Sequence, residues 1–139
     1  MVDSLDQAAR SAVMARVRGK NTRPEMIVRK LVFAAGYRYR LHVRKLPGSP
    51  DLVFPSRKKV IFVHGCFWHR HEGCALARIP KSRVAFWVDK LNGNRARDAR
   101  NLDALTQAGW QTLVVWECQL GDLMALEEEI SRFLSPVRS

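Results

Sequence analysis

Asp51-Leu52-Val53-Phe54-Pro55-Ser56-Arg57-Lys58-Lys59-Val60-Ile61-Phe62-Val63-His64 holds two short apolar runs separated by a basic turn. Val60-Ile61-Phe62-Val63 is too short and too β-branched for a helix, so it reads as a buried strand. Asp51-Leu52-Val53-Phe54 reads as its partner, stopped by Pro55. N-terminal to this pair lies the turn Leu46-Pro47-Gly48-Ser49-Pro50. Before the turn, Tyr37 to Val43 alternates aromatic or apolar with basic residues, the pattern of a half-exposed strand. On the C-terminal side, Thr112-Leu113-Val114-Val115-Trp116 reads as a central strand. The first three strands are joined by turns. The fourth arrives only after a helical crossover.

Helices fill the rest. Thr22-Arg23-Pro24-Glu25 has the form of a capping box with proline in the first turn, followed by a stripe of Ile27, Val28, Leu31, Val32 and Ala35 that Gly36 ends. An earlier helix is predicted over Asp6 to Val17, ended by Gly19. Ser82 to Leu91 reads as helix, Asn92-Gly93-Asn94 as a kink or break, and Arg95 to Ala108 as its continuation. A last helix is predicted from about Asp122 to Leu134. The sum is an α/β fold, a mixed central sheet with helices on both faces, compatible with a restriction-endonuclease-like core. With 139 residues and 47% hydrophobic content, the expectation is one domain over residues 1–139 with an N-terminal helical arm over about residues 1–20.

Charge bounds the partner. Lys and Arg number 24 against 13 Asp and Glu, a net +11. Such an excess favours a polyanion, because each cation that meets a phosphate releases condensed counterions. No apolar run is long enough for a bilayer, and Met1-Val2-Asp3-Ser4-Leu5-Asp6 lacks a signal-peptide core. A cytoplasmic, reducing location is therefore expected, where three cysteines serve metal ligation or burial rather than disulfides.

Cys66, His71 and Cys74 lie in one loop as Cys-x4-His-x2-Cys, and Cys118 lies just past the central strand. There the chain can return to the same sheet edge. Three thiolates and one imidazole form a closed Cys3His set, the structural type for Zn²⁺. The bland alternative is three buried thiols and a surface histidine.

A second constellation carries acids. Asp51 starts one strand and Val63-His64 ends its neighbour, so a carboxylate, a main-chain carbonyl and an imidazole can surround one cavity. Such oxygens suit a hard ion such as Mg²⁺, which phosphodiester cleavage uses to neutralise phosphate and acidify water. Taken alone, Asp51 also reads as a turn aspartate accepting backbone N–H groups. His69 shares the loop but has no place in the zinc set, and imidazole suits proton abstraction near neutral pH. Asp98 is either a solvated helix carboxylate or the group that orients a histidine. Glu25 is either the capping-box glutamate or a group reaching a metal-bound water. Phe67-Trp68 stand in a polar loop, with Phe86-Trp87 on the next helix. In a basic DNA-binding domain such rings can slide between base pairs, most cheaply where a mismatch has weakened stacking. Packing under the loop is the alternative, and the preferred one for Phe86.

At His64-Gly65-Cys66-Phe67-Trp68-His69, with His71 and Cys74 following, the chain resembles the very-short-patch-repair (Vsr) DNA mismatch endonucleases. Arg10-Ser11, Met14, Leu46-Pro47-Gly48, Pro50-Asp51, Phe86-Trp87, Arg97-Asp98 and Val115-Trp116-Glu117-Cys118 extend the likeness. The resemblance implies a restriction-endonuclease-like fold with a structural zinc, and Mg²⁺-dependent nicking 5′ of the thymine in T:G mismatches left by deamination of 5-methylcytosine. It implies that Asp51 and the Val63 carbonyl hold Mg²⁺ and that His69 is the general base. His64, Asp98 and Glu25 would then bind or orient metal-bound waters. It further implies intercalation by Phe67, Trp68 and Trp87, with Met14 wedging from the opposite groove. The partners implied are double-stranded T:G DNA and a functional link to a cytosine-5 DNA methyltransferase and mismatch-repair proteins, with a monomeric enzyme associating with the nucleoid. The chain departs from the family pattern at Val63, where a threonine is usual, and at Glu72-Gly73, which lengthen the zinc loop by one residue. The competing readings are a nuclease of the same fold acting on unmodified or branched DNA, and a non-catalytic zinc DNA-binding protein.

Overall fold

The structure, a computed structural model, describes residues 22–135. The helix expected over Asp6 to Val17, and Met14 within it, lie outside the described residues. Helix α1 is Arg23–Ala34, and the Thr22 hydroxyl caps it by accepting the Glu25 N–H at 3.3 Å. Strands β1 (Arg40–Leu41), β2 (Leu52–Phe54) and β3 (Lys59–His64) follow. Helix α2 (Val84–Gln107), strand β4 (Gln111–Trp116) and helix α3 (Leu123–Leu134) complete the described chain.

The four strands form one mixed sheet in the order β1-β2-β3-β4. β1–β2 and β2–β3 are antiparallel, with Leu52 opposite Ile61, whereas β3–β4 is parallel, with His64 opposite Trp116. Side chains alternate between two cores, as the period of a strand requires. Leu52, Phe54, Ile61 and Val115 pack with Val28 and Val32 of α1 and with Leu126, Ile130 and Leu134 of α3. Val53, Val60 and Phe62 pack on the opposite face with Leu105 of α2. The expected mixed sheet with helices on both faces is thus present. The end of α3 is held by the sheet turn: Arg57 donates to the Leu134 carbonyl at 2.9 Å and the Lys59 ammonium donates to the Phe133 carbonyl. Cations there meet the negative end of the helix dipole.

Two expectations are corrected. The strand predicted over Tyr37 to Val43 pairs only at Arg40–Leu41. His42 turns the chain out of the strand with a left-handed φ of 47°, while Tyr37 and Tyr39 keep the alternation and pack inward against the α1–α3 core without strand pairing. The break predicted at Asn92-Gly93-Asn94 is absent, and α2 runs unbroken for 24 residues. An interior glycine costs a helix only about 1 kcal/mol. Leu91 and Leu105, both fully buried, anchor the segments on either side of it. One glycine is demanded by the fold. Gly48 has φ +77°, and a Cβ there would lie 3.1 Å from both Asn101 and Phe62, so the Leu46-to-Pro50 turn can lie close against α2 and the sheet.

Candidate active site

The ends of β2 and β3 set the first wall of the site. Because these strands are antiparallel, the residue before β2, Asp51, lies beside the last residues of β3. Its Oδ2 accepts the Val63 N–H at 2.7 Å. Asp51 thus accepts a backbone N–H from the neighbouring strand rather than from its own turn, and the other carboxylate oxygen remains available to a ligand. Burial pushes the Asp51 carboxyl up from 3.8 to about 6. The Val63 hydrogen bond opposes that rise and the nearby Glu25 charge adds to it, while His42 and His69 oppose it in turn.

Glu25 reaches this wall from the first turn of α1. It is only 1% exposed, and its Oε2 lies 2.7 Å from both Arg29 Nη2 and His42 Nε2. His42 is a site residue the sequence reading missed. Alternation along Tyr37 to Val43 places it on the basic, outward row, and nothing in that pattern signals the left-handed turn that redirects it. Its Nε2 also lies 3.9 Å from Asp51 Oδ1. Glu25, His42 and Asp51 present ligand atoms within 4.8 Å of one another and could hold a cation.

The opposite wall comes from β3 and α2. His64 follows Val60 and Phe62 on the α2 face of the sheet. It is buried, and burial with the neighbouring His69 charge depresses its pKa to about 3, so it is neutral at physiological pH. Its ring stacks on His69 with centroids 3.8 Å apart and planes 4° apart. His69 Nδ1 in turn lies 2.5 Å from Asp98 Oδ2. Asp98 thus pairs with His69. A signal for it was present: Leu91, Asp98 and Leu105 recur every seven residues, which is one helix face. The predicted break hid that repeat. Between the walls lies an open cleft of about 840 Å³, lined by Glu25, His42, Asp51, His64, His69 and Asp98 among others.

A separate cluster sits beyond the strand ends. His64 and Trp116 are partners in the parallel register, so Cys66 and Cys118, each two residues further on, emerge at one edge. His71 Nδ1 lies 3.6 Å from Cys66 Sγ and 3.5 Å from Cys118 Sγ, and the Cys118 N–H points at Cys66 Sγ at 3.4 Å. With Cys74 the four ligand atoms fall within 4.8 Å of one another. Sulfur and nitrogen ligands around one tetrahedral ion stand about 3.6 Å apart, from metal–sulfur and metal–nitrogen distances of about 2.3 and 2.0–2.1 Å. The donor set and its spacing fit such an ion. Burial pushes the Cys66 thiol up to about 12, whereas the Leu76 N–H lowers that of Cys74. Trp116 links the two clusters, stacking on His71 at 4.1 Å and meeting His64 edge-on at 5.2 Å.

The aromatic residues do not stand bare in their loop. Phe67, Trp68 and Trp87 are half-buried and meet edge to face at 4.9–6.0 Å. Phe86 instead is 44% exposed, with the Arg83 guanidinium 4.4 Å over its ring. The preference for packing Phe86 under the loop is corrected: its position on α2 turns it outward, and the arginine covers one face. Among the described residues no helix is long and apolar enough to cross a membrane.

The sequence matches the family model described as "DNA mismatch endonuclease Vsr" over residues 2–76. It is 53% identical over 136 residues to a type II nicking enzyme of Xanthomonas oryzae pv. oryzae, covering 98% of this chain and 99% of the relative. A type II nicking enzyme of Neisseria meningitidis serogroup A is 38% identical, with 99% and 98% covered. The DNA mismatch endonuclease Vsr of Escherichia coli is 39% identical, with 93% of this chain and 82% of the relative covered. On the strength of these matches the chain is a DNA endonuclease and belongs to the Vsr family of DNA mismatch endonucleases.

Proposed function

We propose that this enzyme nicks double-stranded DNA 5′ of the thymine in T:G mismatches, in a Mg²⁺-dependent reaction that starts the repair of deaminated 5-methylcytosine. The observation that carries the reading is the cleft itself, with Asp51 and Glu25 on one wall and the His69–Asp98 pair on the other. Asp51 and the Val63 carbonyl would hold Mg²⁺. A strand residue directs its N–H and C=O to the same side, and the Val63 N–H is spent on Asp51, which favours a carbonyl on that side as well. When bound, Mg²⁺ supplies charge neutralisation at the phosphate and a more acidic water.

The residues of the chain do the rest. Asp98 accepts the Nδ1 proton of His69, which leaves Nε2 as the basic nitrogen able to take a proton from water. Buried, neutral His64 holds the His69 ring in plane by stacking. Glu25 orients water beside Asp51. His69→Ala should keep its fold and bound zinc yet nick about 10²- to 10⁴-fold more slowly, measured by single-turnover nicking beside metal analysis. Full activity of that variant would remove His69 as the base.

Cys66, His71, Cys74 and Cys118 would hold a structural Zn²⁺. The burial of Cys66 and the closeness of the four ligand atoms support that reading, because a buried thiolate is stable only with a cation alongside. Phe67, Trp68 and Trp87 form a preassembled apolar edge beside the cleft, and we assign them the intercalating role, with Met14 as the opposing wedge. Trp68→Ala should weaken binding to a T:G duplex more than to a paired duplex, read by fluorescence anisotropy on both. Equal losses would reduce Trp68 to a packing residue. The enzyme would act as a single-domain monomer on DNA in the cytoplasm, downstream of a cytosine-5 methyltransferase and alongside mismatch-repair proteins. The deciding experiment compares nicking of T:G, fully paired and branched duplexes with and without Mg²⁺. Selective, Mg²⁺-dependent cleavage of T:G is expected, and equal cleavage of all three would overturn mismatch specificity.

A further inference from the structure

We propose that His42 is a positioning residue of the cleavage centre, tying the helix-borne Glu25 carboxylate to the loop that carries Asp51. The inference rests on the reading that Asp51 holds the catalytic cation. His42 makes two bonds in two directions. Its imidazole Nε2 lies 2.7 Å from Glu25 Oε2 and 3.9 Å from Asp51 Oδ1, and its main-chain N–H donates to the Asp51 carbonyl at 3.2 Å. In the tautomer protonated at Nε2, the ring donates to Glu25. Arg29 reaches the same Glu25 oxygen along α1, but His42 comes from the far side, from the segment paired with Asp51. Among the described residues it is therefore a contact that ties the Glu25 carboxylate to the segment paired with Asp51.

The backbone supports the assignment. His42 adopts φ 47°, a left-handed conformation that Ser49, Lys58, Arg70 and Arg83 share among the described residues; at His42 the contacts with Asp51 and Glu25 hold it there. An ordinary strand continuation past Leu41 would send the ring outward with the basic row. The left-handed turn sends it inward instead, where its side chain is 12% exposed. The chemistry also favours a donor at this point, beside the one that Arg29 supplies. Two carboxylates arranged to share a cation repel each other in its absence, and an N–H donor between them keeps Glu25 in place until the cation arrives.

The test is steady-state nicking of a T:G duplex across a Mg²⁺ titration, with His42→Ala, His42→Gln and Asp51→Asn, each also followed by thermal unfolding. His42→Ala should raise the Mg²⁺ concentration for half-maximal nicking and lower kcat, each by about 10- to 100-fold, with KM for the duplex unchanged. His42→Gln carries an amide N–H long enough to reach Glu25 and should recover most of both. A residue needed only for folding would change the unfolding midpoint without moving the Mg²⁺ dependence. Should His42→Ala fail to fold, His42→Asn, polar but too short for Glu25, takes its place with the same expectation. An unchanged Mg²⁺ dependence in the folded alanine or asparagine variant overturns the proposal, and so does a glutamine variant as impaired as alanine. Asp51→Asn separates the two levels. If it still nicks with Mg²⁺, the reading of Asp51 fails; if it is inactive while His42→Ala behaves as the unaltered enzyme, only the role of His42 fails.

Discussion

Asp51→Asn should leave a folded protein that still binds mismatched duplex but nicks it about 10³-fold more slowly or worse, the equivalent of some 4 kcal/mol of transition-state stabilisation. The substitution keeps an oxygen to accept the Val63 N–H and removes only the charge that would hold Mg²⁺. The same change should stabilise the metal-free protein. The Asp51 carboxyl titrates at about 6 in the folded state against 3.8 as its ordinary value, so folding favours its protonated form. Its favourable contribution is complete below pH 3.8 and is lost as the pH rises through 6. At pH 7 the buried charge then opposes folding by on the order of 2–3 kcal/mol. A neutral amide in its place carries no such penalty, and the unfolding midpoint of Asp51→Asn in EDTA at pH 7 should rise by roughly 5–10 °C, with no gain at pH 3. Added Mg²⁺ should narrow the gap by stabilising only the parent enzyme. A folded Asp51→Asn protein that nicks normally would refute the assignment. Lower stability at pH 7 would mean that the Asp51 charge is already compensated by its neighbours. Gain of stability with loss of activity is the pattern expected where a site holds a charge ready for a ligand.

His71→Ala should abolish zinc binding at the proposed Cys3His site and lower the unfolding midpoint by more than any surface change. Zinc bound to a preformed Cys3His set contributes on the order of 10 kcal/mol to folding. Even a loss of about 4 kcal/mol would lower the midpoint of a chain this size by roughly 10–20 °C. The reason lies in what the cluster joins. Cys66 follows β3, Cys118 follows β4, and His71 with Cys74 sit in the loop between, so one ion bound there would close the edge at which His64 and His69 stand. His71→Cys supplies another ligand and should restore both zinc content and most of the stability. Metal analysis and calorimetry on the three proteins decide the matter. A fully stable, zinc-free His71→Ala protein would show the four residues to be ordinary neighbours. Contrast with His69→Ala, two residues away, sharpens the test, because that variant should keep its zinc and its midpoint.

Much of the fold was legible because the strands announce themselves locally. Val60-Ile61-Phe62-Val63 and Thr112 to Trp116 are β-branched runs that both faces of a covered sheet can bury, and the turn between Phe54 and Val60 forces the antiparallel pair. The Cys66, His71, Cys74 and Cys118 set was legible for a chemical reason: those residue types in that pattern serve few other purposes. Three expectations failed, the first being the strand over Tyr37 to Val43, which the left-handed turn at His42 cuts to Arg40–Leu41. The glycine at position 93 was weighed by its local propensity, and the packing of α2 on either side outweighed it. The burial of Phe86 was inferred from its type, whereas its place on the helix turns it outward.

By itself the sequence determined the strands and covering helices, the sign of the partner's charge and the residues fit for metals and proton transfer, because each depends on residue type and short spacing. Only the tertiary structure showed which groups stand within hydrogen-bonding reach of Glu25 and Asp98, Arg29 and His42 for the first and His69 for the second. It alone brought His42 into the site. That residue's direction follows from one left-handed backbone angle, fixed by contacts with Asp51 and Glu25 at distant points in the chain, and no local pattern records such contacts.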